Sequence, residues 1–350
     1  MPIRFHVWII LVCVLALISG CGPKVEPPEV DEGPFTPASI SIRENGALME
    51  LRDEKLVFID SAGTEWVAPR GTLTDGASIP RLALPITDGR WDRDFLKAAV
   101  VHDAYCQVEN ETRTPEQYRK RTWQAVHKMF YEACVAGGTA PMLAKVMFAA
   151  VWLAGPRWND PERDLQQVSS DMLTRGFTGS KDWIEQNDPT VDEIVADMNR
   201  REPLLVNLSK LETGITTAFE NRDMRAANAL LREQDTILKR ELDRSPGDLM
   251  LLSFKGFWHT NQAVYYRRSN IEDKAIDELL NSERMFNAVI DKAPRDPGAL
   301  TGLGGVSIQR RELILGGDNV RRALDVSSES ETAERDLQRI EAPRERPPPD

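Results

Sequence analysis

The sequence predicts an α+β fold: a small antiparallel β-meander packed with a helical hairpin and a third helix, followed by an all-α domain of helical hairpins. Three observations predict it. Between residues 39 and 71, apolar and polar residues alternate in short runs separated by turn residues, as in strands that bury one face. From residue 92, apolar residues recur every three or four positions, as in helices. The stretch from 203 to about 325 keeps this helical period.

Four strands account for the β region. The alternation predicts strands at Ser39–Arg43, Ala47–Leu51, Leu56–Ile59 and Glu65–Ala68, with a turn at Ser61–Gly63 before the last strand. Because the connections between them are short, we expect neighbouring strands to pair in sequence order. The result would be a single antiparallel meander.

A helical hairpin follows the strands. The first helix is predicted over Asp92–Cys106, where the apolar period is clear. The second is predicted to begin at Pro115, because proline is favoured in the first turn and Thr114 is a suitable N-cap. It runs to about Val135, where Gly137–Gly138 ends it.

The third helix, Pro141–Leu153, is almost entirely apolar. It is too short to span a bilayer and contains Lys145, which favours a buried core helix. Residues 161–202 form a connecting segment with a short helix at Val191–Arg200. The α+β module therefore covers 38–160.

The region from 203 to 325 is predicted to be a domain of helical hairpins. Ser245–Asp248 and Ala293–Pro297 each precede an apolar helix start, and the second start resembles the opening helix of a tetratricopeptide repeat. The spacing of the two is longer than that repeat's usual ~34 residues, so the resemblance is weak. Residues 326–350 are polar and are predicted to be disordered.

The N-terminus has the three parts of a secretory signal. Arg4 provides the positive charge, Val7–Leu17 is an apolar segment of suitable length, and Ile18–Cys21 (ISGC) resembles the lipobox of bacterial lipoproteins. That resemblance implies removal of residues 1–20, lipidation of Cys21 and attachment of the chain to a membrane of the cell envelope. Gly22 lacks the acidic side chain that retains many lipoproteins at the inner membrane, which favours the outer membrane in a Gram-negative host.

The composition of the chain predicts a tether, excludes one class of partner and leaves two cysteines to consider. Residues 21–37 are rich in proline and glutamate and are predicted to be an extended tether. The net charge of −11 excludes non-specific binding to nucleic acid. Cys106 and Cys134 remain besides the lipidated cysteine, on successive predicted helices, and we expect no disulfide between them.

Four motifs resemble one family, the domain of unknown function 1353 family. They are TDGASIPR (Thr74–Arg81), AAVVHDAY (Ala98–Tyr105), HKMFYEA (His127–Ala133) and GPRW (Gly155–Trp158). Many members of that family have an acidic residue where this chain has His127. The resemblance implies a shared fold for the module and a site at these motifs, but no particular reaction.

The chemistry of the motifs suggests a metal site. Asp75, His102, Asp103 and His127 would supply the nitrogen and oxygen ligands that suit zinc or another divalent ion. Such an ion lowers the pKa of bound water toward about 7 and enables hydrolysis. Because adjacent helical residues point about 100° apart, His102 and Asp103 are not expected to face one ligand squarely. Instead, His102 would face a cleft while Asp103 holds a loop.

Other interpretations of the motifs remain open. Ser78 is a candidate nucleophile, with His102 as its base and Asp75 or Asp103 orienting that histidine. A helical histidine followed by an aspartate is also similar to the phospholipase A2 arrangement, in which the aspartate binds calcium. Alternatively, Asp75, Ser78 and the His102–Asp103 pair only stabilise a turn against the helix.

Two functions follow. The chain is either an envelope lipoprotein that binds a partner protein through residues 203–325, or a hydrolase of an envelope substrate acting through Asp75, His102, Asp103 and His127. His259, beside Trp258, is expected to be a packing residue.

Overall fold

The structure, a computed structural model, describes residues 34–76, 93–160, 168–310, 313–326 and 331–341. By their contacts, these residues belong to one unit that starts at Gly33. The predicted signal, the lipidation site Cys21 and the candidate nucleophile Ser78 lie outside the described residues.

Six short strands form two antiparallel sheets of three strands each. One sheet has the order β1-β4-β5 and the other has the order β2-β3-β6. The strands are β1 (Phe35–Thr36), β2 (Ile42–Asn45), β3 (Leu48–Leu51), β4 (Lys55–Ile59), β5 (Glu65–Pro69) and β6 (Leu73–Thr74). Between β2 and β3 the chain turns at Gly46, whose φ of 67° lies in the left-handed region that favours glycine.

The prediction of a single meander is wrong in its topology. β1 lies at the end of the predicted tether, and Phe35 pairs opposite Phe58 of β4 and is fully buried. β6 pairs with β3, where Met49 lies opposite Thr74. Both pairings join segments that are distant in sequence, so local alternation of apolar residues carries no information about them.

The helical hairpin forms from α1 (Arg93–Cys106) and α3 (Trp123–Gly137), which pack against each other. The predicted start of the second helix at Pro115 is wrong. Only a single turn, α2 (Asn110–Arg113), forms before it. Arg119 then adopts a left-handed φ of 55° and donates its backbone N–H to the Tyr105 carbonyl at 2.9 Å. This tertiary contact redirects the chain, and Thr122, not Thr114, caps α3.

Helix α4 (Pro141–Ala154) is the buried core helix that the sequence predicts. Its residues from Val146 to Leu153 are all buried. Lys145 remains near the surface and donates to Asp188 Oδ1 at 2.5 Å. Among the helices in the described ranges, none has the length and apolar character needed to cross a bilayer.

The rest of the described chain is helical, as predicted for 203–325. An 18-residue helix, Ser170–Asn187, also forms in the segment that the sequence predicts to be a connection. The helices are α5 (Ser170–Asn187), α6 (Val191–Glu220), α7 (Met224–Arg244), α8 (Leu249–Arg268), α9 (Glu272–Ile290), α10 (Pro297–Gln309), α11 (Leu313–Val326) and α12 (Glu331–Glu341). Asp248 and Asp296 cap α8 and α10 through their side chains, at the two starts identified in the sequence.

Two predictions in this region need correction. The short helix predicted over Val191–Arg200 is the first part of the 30-residue helix α6, which continues through Pro203. Burial of Leu205 and Leu208 beyond the proline offsets the lost backbone hydrogen bond. The tail predicted to be disordered contains α12, because Ala333 packs into an apolar cluster with residues of α10 and α11.

A single apolar core joins the module to the helical region. It includes Phe35 of β1, Phe148 of α4, Leu205 of α6 and Phe254 of α8. A second cluster lies between α8, α9 and α10, where Phe286 packs against the backbone of two glycines. The module therefore buries its third helix against the helices that follow it.

Candidate metal centre

Helix α1 brings three metal-ligating side chains together. His102 and Cys106 are one turn apart and share a face, and Asp103 is next to His102. Cys106 Sγ and Asp103 Oδ1 each lie 3.3 Å from His102 Nδ1, and Sγ lies 4.0 Å from Oδ1. All three side chains are buried, and one ligand atom from each lies within 4.8 Å of the other two. One ion can therefore contact all three.

The expectation that His102 and Asp103 point apart is wrong for one carboxylate oxygen. Asp103 Oδ1 turns back toward His102, because the two side-chain torsions of aspartate swing the carboxylate around the helix. The other oxygen does hold a loop, as expected: Thr74 Oγ1 donates to Asp103 Oδ2 at 2.6 Å. His102 is fully buried and does not face an open cleft.

His127 on α3 reaches the same cluster through a contact with His102. Its Nδ1 lies 3.1 Å from His102 Nε2, whereas Asp103 Oδ1 lies beside Nδ1 of that ring, and Cys106 Sγ lies 3.3 Å from Nδ1 and 3.8 Å from Nε2. With both rings neutral, His102 Nδ1–H can donate to Asp103 while Nε2 accepts from His127 Nδ1–H. His127 therefore orients His102 rather than joining its ligand set.

The TDG turn closes one side of the cluster. Thr74 is buried at the end of β6, and its hydroxyl also accepts from the backbone N–H of Gly76 at 3.0 Å. Gly76 has a φ of 91°, which favours glycine at this position. Asp75 is half-buried between them. Its charge acts on the Cys106 thiol, so the carboxylate belongs to the surroundings of the cluster.

Burial controls the protonation of Cys106. Removal from water raises the pKa of its thiol well above the ordinary value, and the negative charges of Asp103 and Asp75 raise it further. In the absence of a cation, the thiol therefore keeps its proton. A bound divalent ion would supply the opposite charge and favour the thiolate.

Asn110 ties α1 to the sheet beside the cluster. Its amide nitrogen donates to the carbonyls of Leu73 and Asp103, both at 2.8 Å, and its oxygen accepts from Leu73 N at 2.9 Å. Tyr105 adds a second link, since its hydroxyl accepts from Val67 N at 3.1 Å. These bonds fix the position of α1, and hence of its ligands, relative to both sheets.

Aromatic side chains and the GPRW segment surround the histidines. The Phe130 ring lies 4.9 Å from that of His102, and the Trp123 ring lies 5.6 Å from that of His127. Gly155 fits closely against His127, because a Cβ there would lie 3.2 Å from Nε2 and 2.3 Å from the Val151 carbonyl. The Arg157 guanidinium stacks over Trp123 at 4.3 Å. The four sequence motifs thus meet around one buried centre.

The structure changes the predicted ligand set. It places His102 and Asp103 together, with His127 behind His102 and Asp75 nearby, while Ser78 lies outside the described residues. Sequence reasoning missed Cys106 as a candidate ligand. The available signal was its position one helical turn after His102, a spacing that puts two ligands on one face.

His259 packs beside an aromatic ring in the helical region, as expected. His259 Nδ1 lies 2.5 Å from Glu278 Oε2, and its ring is 4.8 Å from that of Trp258. Among the described residues, Cys106 and Cys134 are free thiols, and both are buried.

Comparison with known proteins places the centre in a recognised module. Residues 50–151 match the family described as "Protein of unknown function (DUF1353)". Two relatives come from Sinorhizobium fredii (strain NBRC 101917 / NGR234). "Uncharacterized protein y4iH" is 38% identical over 101 residues, which is 29% of this chain and 38% of that protein. "Uncharacterized protein y4jT" is 37% identical over 111 residues, which is 32% of this chain and 30% of that protein.

The match covers well under half of either relative's length. No solved structure matches this chain. The helical region falls outside the family match. Over residues 50–151, which contain the His102–Asp103–Cys106 centre, this chain is therefore similar to the DUF1353 family, whose function is unknown.

Proposed function

We propose that this chain is a lipid-anchored cell-envelope protein whose α+β module binds a divalent transition metal, with zinc preferred, through His102, Asp103 and Cys106. The observation that carries the proposal is the convergence of the three buried ligand atoms on one point beside α1. The lipid anchor rests on the lipobox-like sequence that ends at Cys21.

The separations of the ligand atoms suit tetrahedral zinc. Bond lengths of about 2.0–2.3 Å and tetrahedral angles place neighbouring ligand atoms about 3.3–3.6 Å apart. The measured separations of 3.3, 3.3 and 4.0 Å are close to these values. Because Sγ also lies 3.8 Å from Nε2, the Cys106 side chain would have to turn toward Nδ1 to share an ion with it. One nitrogen, one oxygen and one sulfur ligand together favour zinc over magnesium or calcium, which prefer oxygen alone.

The surroundings support the same assignment. With Nδ1 of His102 on the metal, its Nε2–H would donate to His127 Nδ1, the usual arrangement for a metal-bound histidine. Asp103 is held by Thr74 through its other oxygen. Each of these two ligands therefore has a partner that fixes its orientation.

Metal analysis of the purified mature chain tests the proposal. We expect about one zinc per chain in the wild type and loss of that zinc in Cys106→Ala. Cys134→Ala is the matched control, because Cys134 is equally buried but contributes no ligand to the cluster. A wild type without zinc after growth and dialysis in zinc, or a Cys106→Ala variant that keeps it, would overturn the proposal.

Hydrolysis of an envelope substrate is a second candidate function. Three protein ligands leave a fourth tetrahedral position for water, as in catalytic zinc sites, and Asp75 is close enough to influence the ligand thiol. We propose Asp75 as the base that accepts the proton of this water. The Asp75→Asn variant should keep its zinc but lose hydrolysis of peptidoglycan- or lipid-derived substrates. Equal activity in the wild type and this variant would contradict the role of Asp75 as the base.

The anchor and the partner have separate tests. Cys21→Ala should move the chain from the membrane fraction to the soluble fraction; continued membrane association after salt washing would contradict lipidation.

We also propose that the helical region over 203–325 binds an envelope partner. A cavity lined in part by α6, α8 and α10 of this region supports this proposal.

A further inference from the structure

A cavity lies within the helical region, away from the metal centre. Helices α5, α6, α8, α10 and α12 all contribute to its lining, and its volume is about 520 Å³. Small-molecule sites in proteins usually fall between about 300 and 1,000 Å³. The cavity is thus large enough for a ligand the size of an amino acid or a dipeptide.

Most polar groups that line the cavity are hydrogen-bond acceptors. Among the described residues, eight serine or threonine hydroxyls line it. Thr216, Thr260 and Thr301 each donate their hydroxyl hydrogen to a carbonyl of their own helix. A hydroxyl that donates in this way keeps an oxygen lone pair for a ligand, although Thr260 Oγ1 also lies 2.8 Å from Ser282 Oγ. Such a lining favours a ligand that brings its own donors.

The charges in the lining favour a cationic donor. Four carboxylates, those of Asp171, Glu212, Glu220 and Asp336, outnumber two guanidinium groups, those of Arg175 and Arg335. Glu212 is already paired with Arg175 through two hydrogen bonds of 2.9 and 3.1 Å. An ammonium group would be attracted to the excess negative charge and would donate to the carboxylates and hydroxyls.

Arg175 offers the opposite kind of contact. Its side chain is only 4% exposed, and its Nη atoms bind Glu212 while the guanidinium stacks on Phe257 at 3.9 Å. Arg175 lines the same cavity, and its Nε–H is buried and has no hydrogen-bond partner among the described residues. A ligand carboxylate would satisfy this donor once the side chains that enclose it shift.

We infer that this cavity binds an amino acid or a short peptide, with its ammonium group held by the carboxylates and threonines and its carboxylate held by Arg175 Nε. The inference rests on the proposal that the helical region is a binding region, but not on the metal centre. It specifies that proposal by giving the ligand an α-ammonium and a carboxylate, both of which a free amino acid and a peptide possess.

Calorimetric titration of the whole mature chain tests this. The probes are lysine, glycyl-lysine, N-acetylated glycyl-lysine, glycyl-lysine amide and putrescine. We expect glycyl-lysine to bind and each blocked form to bind at least about tenfold more weakly, the equivalent of one lost charged contact. Lysine against glycyl-lysine separates a free amino acid from a peptide as the ligand.

Two variants refine the assignment. Glu220→Gln should weaken binding of glycyl-lysine several-fold, whereas Glu233→Gln, an equally exposed change outside the cavity, should not. Arg175→Lys should abolish the preference for the free carboxylate; if this variant does not fold, the amide probe still tests that contact. Equal binding of all five probes, or no binding of any, overturns the inference. Zinc content and membrane attachment, measured on the same sample, show separately whether the other proposals stand.

Discussion

His102 Nε2 lies 3.1 Å from His127 Nδ1, and Nδ1 of the same His102 ring lies 3.3 Å from Asp103 Oδ1. One imidazole therefore links two helices and uses both of its nitrogens. Removing His127 would leave His102 free to rotate and would lower its basicity as a ligand. We predict that His127→Ala binds zinc about 10–100-fold more weakly, measured by competition with a chelator of known affinity.

His259→Ala is the control for this prediction. His259 pairs with Glu278 in the helical region and has no contact with the centre. Its replacement should leave zinc affinity unchanged. Unchanged affinity in His127→Ala as well would show that His127 does not orient the ligand.

Asn110 should matter for stability more than its polarity suggests. It makes three hydrogen bonds that join α1 to β6, and it is fully buried. Asn110→Ala would leave the Leu73 groups without this partner, and we expect a loss of about 2–4 kcal/mol in the free energy of unfolding. Urea denaturation measures it, and Thr112→Ala, at an exposed site on the same turn, should change stability by less than about 0.5 kcal/mol.

Two glycines one turn apart on α10 should respond in opposite directions. A Cβ on Gly302 would lie 2.2 Å from Cζ of the buried Phe286, whereas a Cβ on Gly305 would meet nothing closer than 3.8 Å. We predict that Gly302→Ala destabilises the chain by about 1–3 kcal/mol through overpacking. Gly305→Ala should stabilise it by up to about 1 kcal/mol because alanine favours the helix. Thermal unfolding of both variants decides, and similar melting temperatures would contradict the tight contact at Phe286.

Cys134 should make the metal-free chain less stable in alkali. Burial raises the pKa of its thiol well above the ordinary value, so the folded state keeps a proton that the unfolded chain loses above about pH 8.5. Its contribution is fully present below about pH 8.5 and declines at about 1.4 kcal/mol per pH unit as the pH rises toward the folded pKa. In chelator, Cys134→Ala should therefore lose less stability than the wild type between about pH 8.5 and 9.5. Parallel curves in urea denaturation would refute this.

Local sequence signals predicted those parts of the fold that local forces determine. Helices α1 and α4 follow the predicted bounds closely, because an apolar period defines α1 and a proline, an apolar run and a glycine define α4. The start of α3 was not predictable in this way, since the contact of Arg119 with Tyr105 overrides the helix-starting signal at Pro115. The pairing of β1 with β4 likewise depends on contacts between distant segments.

In the candidate site, too, the sequence identifies several of the residues but not their geometry. His102, Asp103 and His127 stand in recognisable motifs and could be named in advance. That Asp103 turns toward His102 depends on the torsions of one side chain and on the hydroxyl of Thr74, neither of which a sequence pattern encodes. Cys106 was overlooked because a cysteine on an apolar helix face resembles a small core residue.

Helix α4 is apolar on nearly every side, and part of that surface is covered by α5 and α6, which lie beyond residues 50–151, the segment that matches the family. Any protein that carries only the shared segment must shield the same surface in another way, by a different appended region or by a neighbouring molecule. The DUF1353-like module of this chain therefore depends on the helices that follow it to bury the apolar surface of α4. Separating it from the helices that follow would expose Phe148 and its neighbours to water and promote aggregation.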